Sequence, residues 1–248
     1  MERRKFQGAL NILSFNRHFY IAGIGLLIFW IAAYFLFDWS ATLFWIVIIA
    51  FLYGLLVPLL VSAYVYDHSN YYSLKWLNPI IDKKDDLKLI VNIHAGFDET
   101  SYIIKEKYPR ADLKVFDFYN AAQHTELAIK VARKATLFYP DTKSIVTTAI
   151  PLEDNSADIV FLLSAVHEIR SNEEKVQFLK ECRRICKPDG KVIMVEHLRD
   201  LPNFLAFSIG FTHFFSAFVW KRCFSLAGFS NLQEVKFTPF MSIFKCSP

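Results

Sequence analysis

The chain has 248 residues, 54% hydrophobic and 17% aromatic, with 25 phenylalanines and a net charge of +4. That mild positive balance, with no stripe of Lys and Arg interleaved with aromatics, excludes the pattern of a nucleic-acid binder and suits an anionic membrane surface. Cys182, Cys186, Cys223 and Cys246 form no paired C-x-x-C and have no close histidine. No metal site is therefore expected, and free thiols fit a reducing cytoplasm.

Residues 21–37 and 43–66 carry no charge. Each run approaches or exceeds the ~20 apolar residues that a membrane-crossing helix needs. The break around Asp38 leaves room only for a tight turn, so the pair predicts a transmembrane hairpin. Arg3, Arg4, Lys5 and Arg17 precede the first run, Lys75, Lys83 and Lys84 follow the second, and the break has no basic residue. Positive charge stays on the cytoplasmic side, which puts both ends of the hairpin there, in an integral protein of the cytoplasmic membrane. The first run is too long for a signal peptide and lacks the small-residue cleavage site. Trp30, Trp39 and Trp45 are candidates for interfacial anchors. The competing reading is a hairpin buried in a soluble all-α core. The expected division is an anchor at 1–66 and one domain at 67–248.

The domain alternates strand and helix. Residues 87–94, 113–118, 144–150, 157–165 and 191–197 read as strands. Between them lie a helix with Asp98 as its expected N-cap, an amphipathic helix over 125–135, and a helix closed by the turn Pro188, Asp189, Gly190. Such alternation predicts an α/β fold with a mainly parallel sheet covered on both faces. Ligands bind such sheets beyond the carboxyl ends of the strands. The candidate site therefore gathers residues 94–98, Asp117, Thr148, Ala149, Ile150, residues 164–168 and residues 196–200.

The segment IPLEDNSADIVFLLSAVHEI resembles the fourth-strand motif of class I S-adenosylmethionine-dependent methyltransferases. FLKECRRICKPDGKVIMVEHLRD is similar to the helix, Pro-Gly turn and fifth strand that follow there, and FSLAGFSNLQEVKFTPFMSIFKC to the closing helix and antiparallel hairpin. YDHSNYYSLKWL resembles the segment that often precedes this domain. The resemblance covers about residues 66–248 and is nearest to the quinone and lipid methyltransferases. It implies a Rossmann-like seven-stranded sheet with a C-terminal antiparallel hairpin, preceded here by two transmembrane helices. It also implies S-adenosylmethionine as cofactor.

Carried onto this chain, the resemblance makes Asn92, His94 and Gly96 the first cofactor loop and Asp117 the partner of the ribose hydroxyls. Asp117 ends the second strand 21 residues after Gly96. Thr148, Ala149, Ile150, Ser164, Tyr66 and Tyr71 complete the expected cofactor contacts. The loop has one glycine where the family has several, and Asn92 stands in place of the usual carboxylate. Thr147 and Thr148 stand near the usual adenine-contacting acid. His167, His197 and His213 are the candidate bases, each with a structural alternative. Residues 204–220 are expected to cover a pocket for a hydrophobic small-molecule acceptor, dipping into the interface, or else to form a plain core helix. The expected partners are thus the lipid bilayer and that acceptor; no nucleic acid is expected, and no residue pattern specifies an oligomeric state. Two other functions remain open: a scaffold on a degenerate methyltransferase fold, and a nucleotide-binding oxidoreductase, for which a one-glycine loop suits a pyrophosphate poorly.

Overall fold

The computed structural model describes residues 5–37, 39–81, 87–124 and 127–248. Arg3, Arg4, Asp38, Lys83 and Lys84, and the first two residues of the expected 125–135 helix, lie outside the described residues.

Three helices open the chain: α1 (Gln7–Phe15), α2 (Arg17–Leu36) and α3 (Ala41–Ser62), the last running on through a π-helical stretch, Ala63–His68. The short link between α2 and α3 makes them antiparallel, with Tyr34 against Phe44 (ring centroids 4.2 Å apart) and Trp30 against Trp39 (4.6 Å) near the turn. A 20-residue helix is about 30 Å long, the thickness of a bilayer's hydrocarbon core. Both helices are long and apolar enough to cross a membrane, and only 6% and 0% of their most apolar windows are buried. The hairpin is therefore not covered by a soluble all-α core. Its side chains, among them Phe19, Ile28, Phe35, Ile46, Ile49 and Leu60, point outward.

Helix α1 crosses the 63–68 stretch. The backbone N–H groups of Gly8 and Ala9 donate to the Asp67 carboxylate at 2.9 and 3.2 Å, so an acid from another element caps this helix at its positive end. Gly8 permits the crossing, because a Cβ there would come within 2.4 Å of Tyr66 Cβ.

Seven strands form one sheet: β1 (Leu89–His94), β2 (Asp112–Asp117), β3 (Lys143–Ser144), β4 (Ala157–Leu163), β5 (Cys186–His197), β6 (Ser230–Thr238) and β7 (Met241–Ser247). Their order is β3-β2-β1-β4-β5-β7-β6, with β7 antiparallel to β5 and β6 and the other pairs parallel. Alternation along β4 divides the core. Val160 and Leu162 pack with Phe178, Trp220 and Phe224, from helices α6 (Asn172–Ile185) and α8 (Ala217–Leu226). Ile159 and Phe161 pack on the other face with Leu74, Leu77 and Ile104, the last from helix α4 (Ser101–Lys107). A strand buried on both faces reads as a continuous apolar run. Each large side chain buried there contributes about 1.5–3 kcal/mol. Helices α5 (Leu127–Ala135) and α7 (Leu201–Phe207) complete the domain.

Several expectations are corrected in detail. The third strand is only two residues long rather than 144–150. Beyond Ser144 the chain turns, with Val146 bridged to Ala149, and Ile150 N–H donates to the Glu181 carboxylate at 3.0 Å instead of to a strand. The Pro-Asp-Gly turn does not separate helix from strand. β5 already starts at Cys186, and its pairing jumps from Ala157–Cys186 to Ile159–Lys191, so residues 187–190 bulge out. A bulge is where a sheet tolerates a proline, which has no N–H to donate. The N-cap position of the domain's first helix, which begins at Ser101, is Thr100 rather than Asp98, although Asp98 Oδ1 accepts the N–H groups of Thr100 (3.0 Å) and Ser101 (2.9 Å). Residues 204–220 form no single helix: α7 passes into a 3-10 stretch, Ser208–His213, and then α8. Leu201, Phe204, Leu205, Ile209 and Phe218 are exposed there.

Candidate active site

The carboxyl ends of β1, β2, β4 and β5 lie side by side. At β1, the Asn92 side-chain amide donates to Thr100 Oγ (3.1 Å) and Ser101 Oγ (2.8 Å), pinning the start of α4. His94 Nδ1 accepts the Gly96 N–H at 3.1 Å, so Nε2 carries the ring proton. Burial lowers the His94 pKa despite the opposing charges of Asp98 and Asp117, and the ring is neutral. His94 Nε2 and Asp98 Oδ2 are buried 4.0 Å apart, and neither has a hydrogen-bond partner among the described residues. Gly96 adopts φ +87, a left-handed conformation that favours glycine.

Asp117 closes β2 and is 3% exposed. Its Oδ1 accepts the Tyr119 N–H at 2.8 Å and its Oδ2 is paired with Arg133 on α5. The Arg133 guanidinium lies 4.5 Å from the Tyr119 ring centroid and 5.1 Å from that of Phe138. A Cβ on Gly96 would meet Arg133 Nη1 at 2.6 Å, so this side chain fills the space above the glycine. Nothing in the sequence signalled Arg133, which is one of several basic residues on an amphipathic helix. Thr148 and Ala149 are exposed and Ile150 is buried. The turn that carries them is tied to α6, through Thr147 Oγ on Glu174 (2.7 Å) and Ile150 N–H on Glu181.

A tyrosine segment roofs these strand ends. Tyr66 OH meets His197 Nε2 at 2.9 Å, Tyr71 OH meets Ser164 Oγ at 3.1 Å, and Tyr72 OH donates to Glu99. Ser164, directly after β4, has φ +52. His197 is buried, with Nδ1 donating to the Phe240 carbonyl (2.9 Å) and its ring stacked on Phe214 (centroids 4.9 Å apart). Burial outweighs the hydrogen bond to Asn203 and the charge of Glu196, and pushes its pKa down to about 4.

The third group follows β4. Glu196 is fully buried; its Oε1 accepts the N–H groups of Val166 (2.9 Å) and His167 (3.3 Å), and its Oε2 lies 2.7 Å from His167 Nδ1. A carboxylate there places the proton on Nδ1 and leaves the Nε2 lone pair of His167 on the cleft side. His213 lies across from it, ring centroids 5.0 Å apart, and Glu168 Oε1 is 3.6 Å from His167 Nε2 and 3.8 Å from His213 Nε2. Burial would raise the Glu168 pKa, but the facing imidazoles of His213 and His167 outweigh it and hold it down at about 2. The structure thus brings His167 and His213 together and places His197 apart, behind Phe214. A histidine oriented by a buried carboxylate, with its second nitrogen available, is an arrangement suited to general-base chemistry.

Residues 113–194 match a protein family described as a methyltransferase domain. Norreticuline-7-O-methyltransferase of Papaver somniferum is 25% identical over 162 residues, which is 60% of this chain and 42% of that protein. A highly reducing polyketide synthase of Pyrenophora dematioidea is 32% identical over 93 residues, 32% of this chain and 4% of that one. The chain spans less than half the length of these curated relatives. Among solved structures, a candidate O-methyltransferase from Nostoc punctiforme superposes with TM-score 0.52 at 17% identity, covering 77% of this chain and 60% of that one. PigF with SAH superposes with TM-score 0.51 at 18% identity, covering 69% and 53%. Residues 113–194 thus match a methyltransferase domain, and the sheet around them has the fold of the class I, S-adenosylmethionine-dependent methyltransferases.

Proposed function

We propose that this protein is a membrane-anchored methyltransferase that moves a methyl group from S-adenosylmethionine to an oxygen of a lipophilic acceptor, such as a quinone-like phenol, a polyene pigment or a lipid. The observation that carries this reading is the junction between the apolar hairpin and the site. The stretch that leaves α3 becomes the roof over the strand ends, through Tyr66 on His197 and Tyr71 on Ser164. Deeper in α3, Tyr53 OH donates to the Leu205 carbonyl at 2.5 Å, so α7 lies alongside the second apolar helix. The exposed apolar side chains of α7 continue the surface of the hairpin. An acceptor dissolved in the bilayer reaches such a site without crossing water. Each buried methylene of its tail adds ~0.8 kcal/mol to recognition.

The first loop fits the cofactor. A buried carboxylate at the end of β2 can accept from ribose hydroxyls, a left-handed glycine permits close backbone approach, and buried polar atoms of His94 and Asp98 have no hydrogen-bond partner among the described residues. Arg133 occupies this space by the end of a flexible side chain, which would have to swing away from Asp117 to admit the cofactor. Bound there, the cofactor supplies an electrophilic methyl group. Asp117 and the Gly96 backbone hold it, and the aromatic side chains Phe207 and Phe214 keep water from the acceptor. His167 Nε2 takes the hydroxyl proton while Glu196 stabilises the resulting imidazolium. With the basic flanks inside, the domain faces the cytoplasm.

A second reading is a scaffold that binds no cofactor, favoured by the Arg133–Asp117 pair and the single glycine of the loop. Calorimetry of detergent-solubilised protein with S-adenosylhomocysteine separates the two. Saturable binding that Asp117→Ala abolishes supports the enzyme, and absence of binding at millimolar ligand supports the scaffold.

A further inference from the structure

We propose that His167 Nε2, Glu168 Oε1 and His213 Nε2 form a binding site for a divalent first-row transition cation of the zinc type. The ligands come from two segments, the turn Val166–Glu168 after β4 and the 3-10 stretch Ser208–His213. All three ligand atoms lie within 4.8 Å of one another, with nitrogen-to-oxygen separations of 3.6 and 3.8 Å. These separations are too long for direct hydrogen bonds. They are close to the ~3.4 Å edge of a tetrahedron whose centre is about 2.1 Å from each ligand. The two histidine-to-carboxylate edges are within a few tenths of an ångström of that geometry.

Two independent features build the site. Glu196 holds the Nδ1–H of His167 at 2.7 Å, and a carboxylate behind a ligating histidine is the usual device that fixes its tautomer and ring direction. Arg170 Nη1 donates to the carbonyls of both His167 (3.1 Å) and His213 (2.7 Å), which ties the two ligand-bearing segments together. Two imidazoles with one carboxylate suit zinc or ferrous iron rather than magnesium or calcium, which prefer all-oxygen shells. The side chains are 14%, 12% and 25% exposed, so the cation would keep an open side toward the cleft. The four cysteines play no part; all are buried and distributed over α6, β5, α8 and β7.

This inference deepens the proposed function and rests on it, because the open side would hold the acceptor's oxygen. A hydroxyl bound there would be acidified by the cation and could release its proton to water. The oxygen lone pair then forms the new bond to the methyl carbon while the sulfonium sulfur keeps the electron pair of the broken carbon–sulfur bond. With the cation bound, His167 Nε2 would be a ligand, and activation by the cation would replace the proton transfer to His167 that serves the metal-free site.

The test uses the full chain in detergent, stripped with a chelator and titrated with cobalt(II) under visible absorption, with zinc as competitor. One cobalt per chain with tetrahedral-type bands is expected. Glu168→Gln and His213→Ala are expected to weaken binding at least tenfold, and Glu196→Gln 10–100-fold with every ligand retained. His68→Ala, an exposed histidine elsewhere, is expected to bind as the unmodified protein does. Melting temperatures confirm that each variant is folded. No cobalt uptake by the unmodified protein, or equal uptake by Glu168→Gln and His213→Ala, overturns the site. S-adenosylhomocysteine affinity is measured on the same samples. Intact cofactor binding without metal removes only the cation site, whereas metal uptake without cofactor binding removes the methyltransferase reading.

Discussion

The Tyr66 hydroxyl donates to His197 Nε2 at 2.9 Å, which bonds the end of the second apolar helix to the end of β5. The direction is fixed from the far side of the ring, where Nδ1 faces the Phe240 carbonyl at 2.9 Å and must carry the proton. Tyr66→Phe leaves a buried nitrogen without a donor. It should cost about 1–3 kcal/mol of stability, read from urea unfolding of the solubilised protein. An unchanged midpoint would mean that this bond does not hold roof and sheet together.

The same histidine makes stability depend on pH. Burial holds the folded His197 pKa at about 4, below its ordinary value near 6.5. The unfolded chain therefore takes up a proton that the folded chain refuses. The contribution of this group is full above about pH 6.5 and declines as the pH falls toward about 4. Melting temperature should drop across that window, and His197→Gln should flatten part of the slope. A slope identical in that variant would contradict the burial of a neutral ring.

Topology can be tested without removing native thiols. Cys182, Cys186, Cys223 and Cys246 are all buried, and burial raises the pKa of each, that of Cys186 to about 12. They are poor nucleophiles beside an exposed new cysteine. Ser40→Cys, between the apolar helices, should react with a membrane-impermeant maleimide added outside intact cells. Labelling only after the cells are opened would reverse the orientation or remove the hairpin.

Arg133 and Asp117 give opposite signs for cofactor affinity. Asp117→Asn removes charge-assisted acceptance from the ribose and should weaken S-adenosylhomocysteine binding by on the order of 2 kcal/mol. Arg133→Ala removes the competitor for the same carboxylate and should tighten binding severalfold. Weaker binding in Arg133→Ala would show that the guanidinium helps hold the ligand.

Much of this architecture is legible in the sequence where burial is two-sided. β4 from Ile159 to Leu163 and β5 from Val192 to Val195 are uninterrupted apolar runs, and β1 is one but for Asn92 and His94, because helices or the 71–81 segment cover both faces. β3 was over-read, since Ile145 and Val146 look like strand residues but follow an edge strand paired only through Lys143 and Ser144. The Pro188 bulge was missed because Pro-Asp-Gly reads locally as a turn, whereas its pairing is set by β4. In the candidate site, strand-end logic pointed to Asp117, His167 and Glu196, which the structure places at the end of β2, after β4 and near the end of β5. It could not find the Arg133–Asp117 pair, the Asp67 cap on α1 or the Tyr72–Glu99 bond, which join residues far apart in sequence with no spacing rule.

Glu196→Gln tests the orientation of His167. The amide can still accept from the backbone of residues 166 and 167, but it presents N–H rather than oxygen to Nδ1. The ring is then driven to the other tautomer, and turnover should fall about 10²–10⁴-fold with little change in cofactor affinity. Equal losses of turnover and cofactor binding would indicate general collapse of the loop instead.

The most direct measurement follows a labelled methyl group. Purified protein in lipid nanodiscs is incubated with methyl-labelled S-adenosylmethionine and a membrane extract, and the products are partitioned between organic solvent and water. Label should enter the organic phase, depend on Asp117 and His167, and be outcompeted by tailed phenols far better than by their tail-less analogues. Label found only in water-soluble products, or no transfer by a protein that binds the cofactor, would contradict methyl transfer to an acceptor drawn from the bilayer.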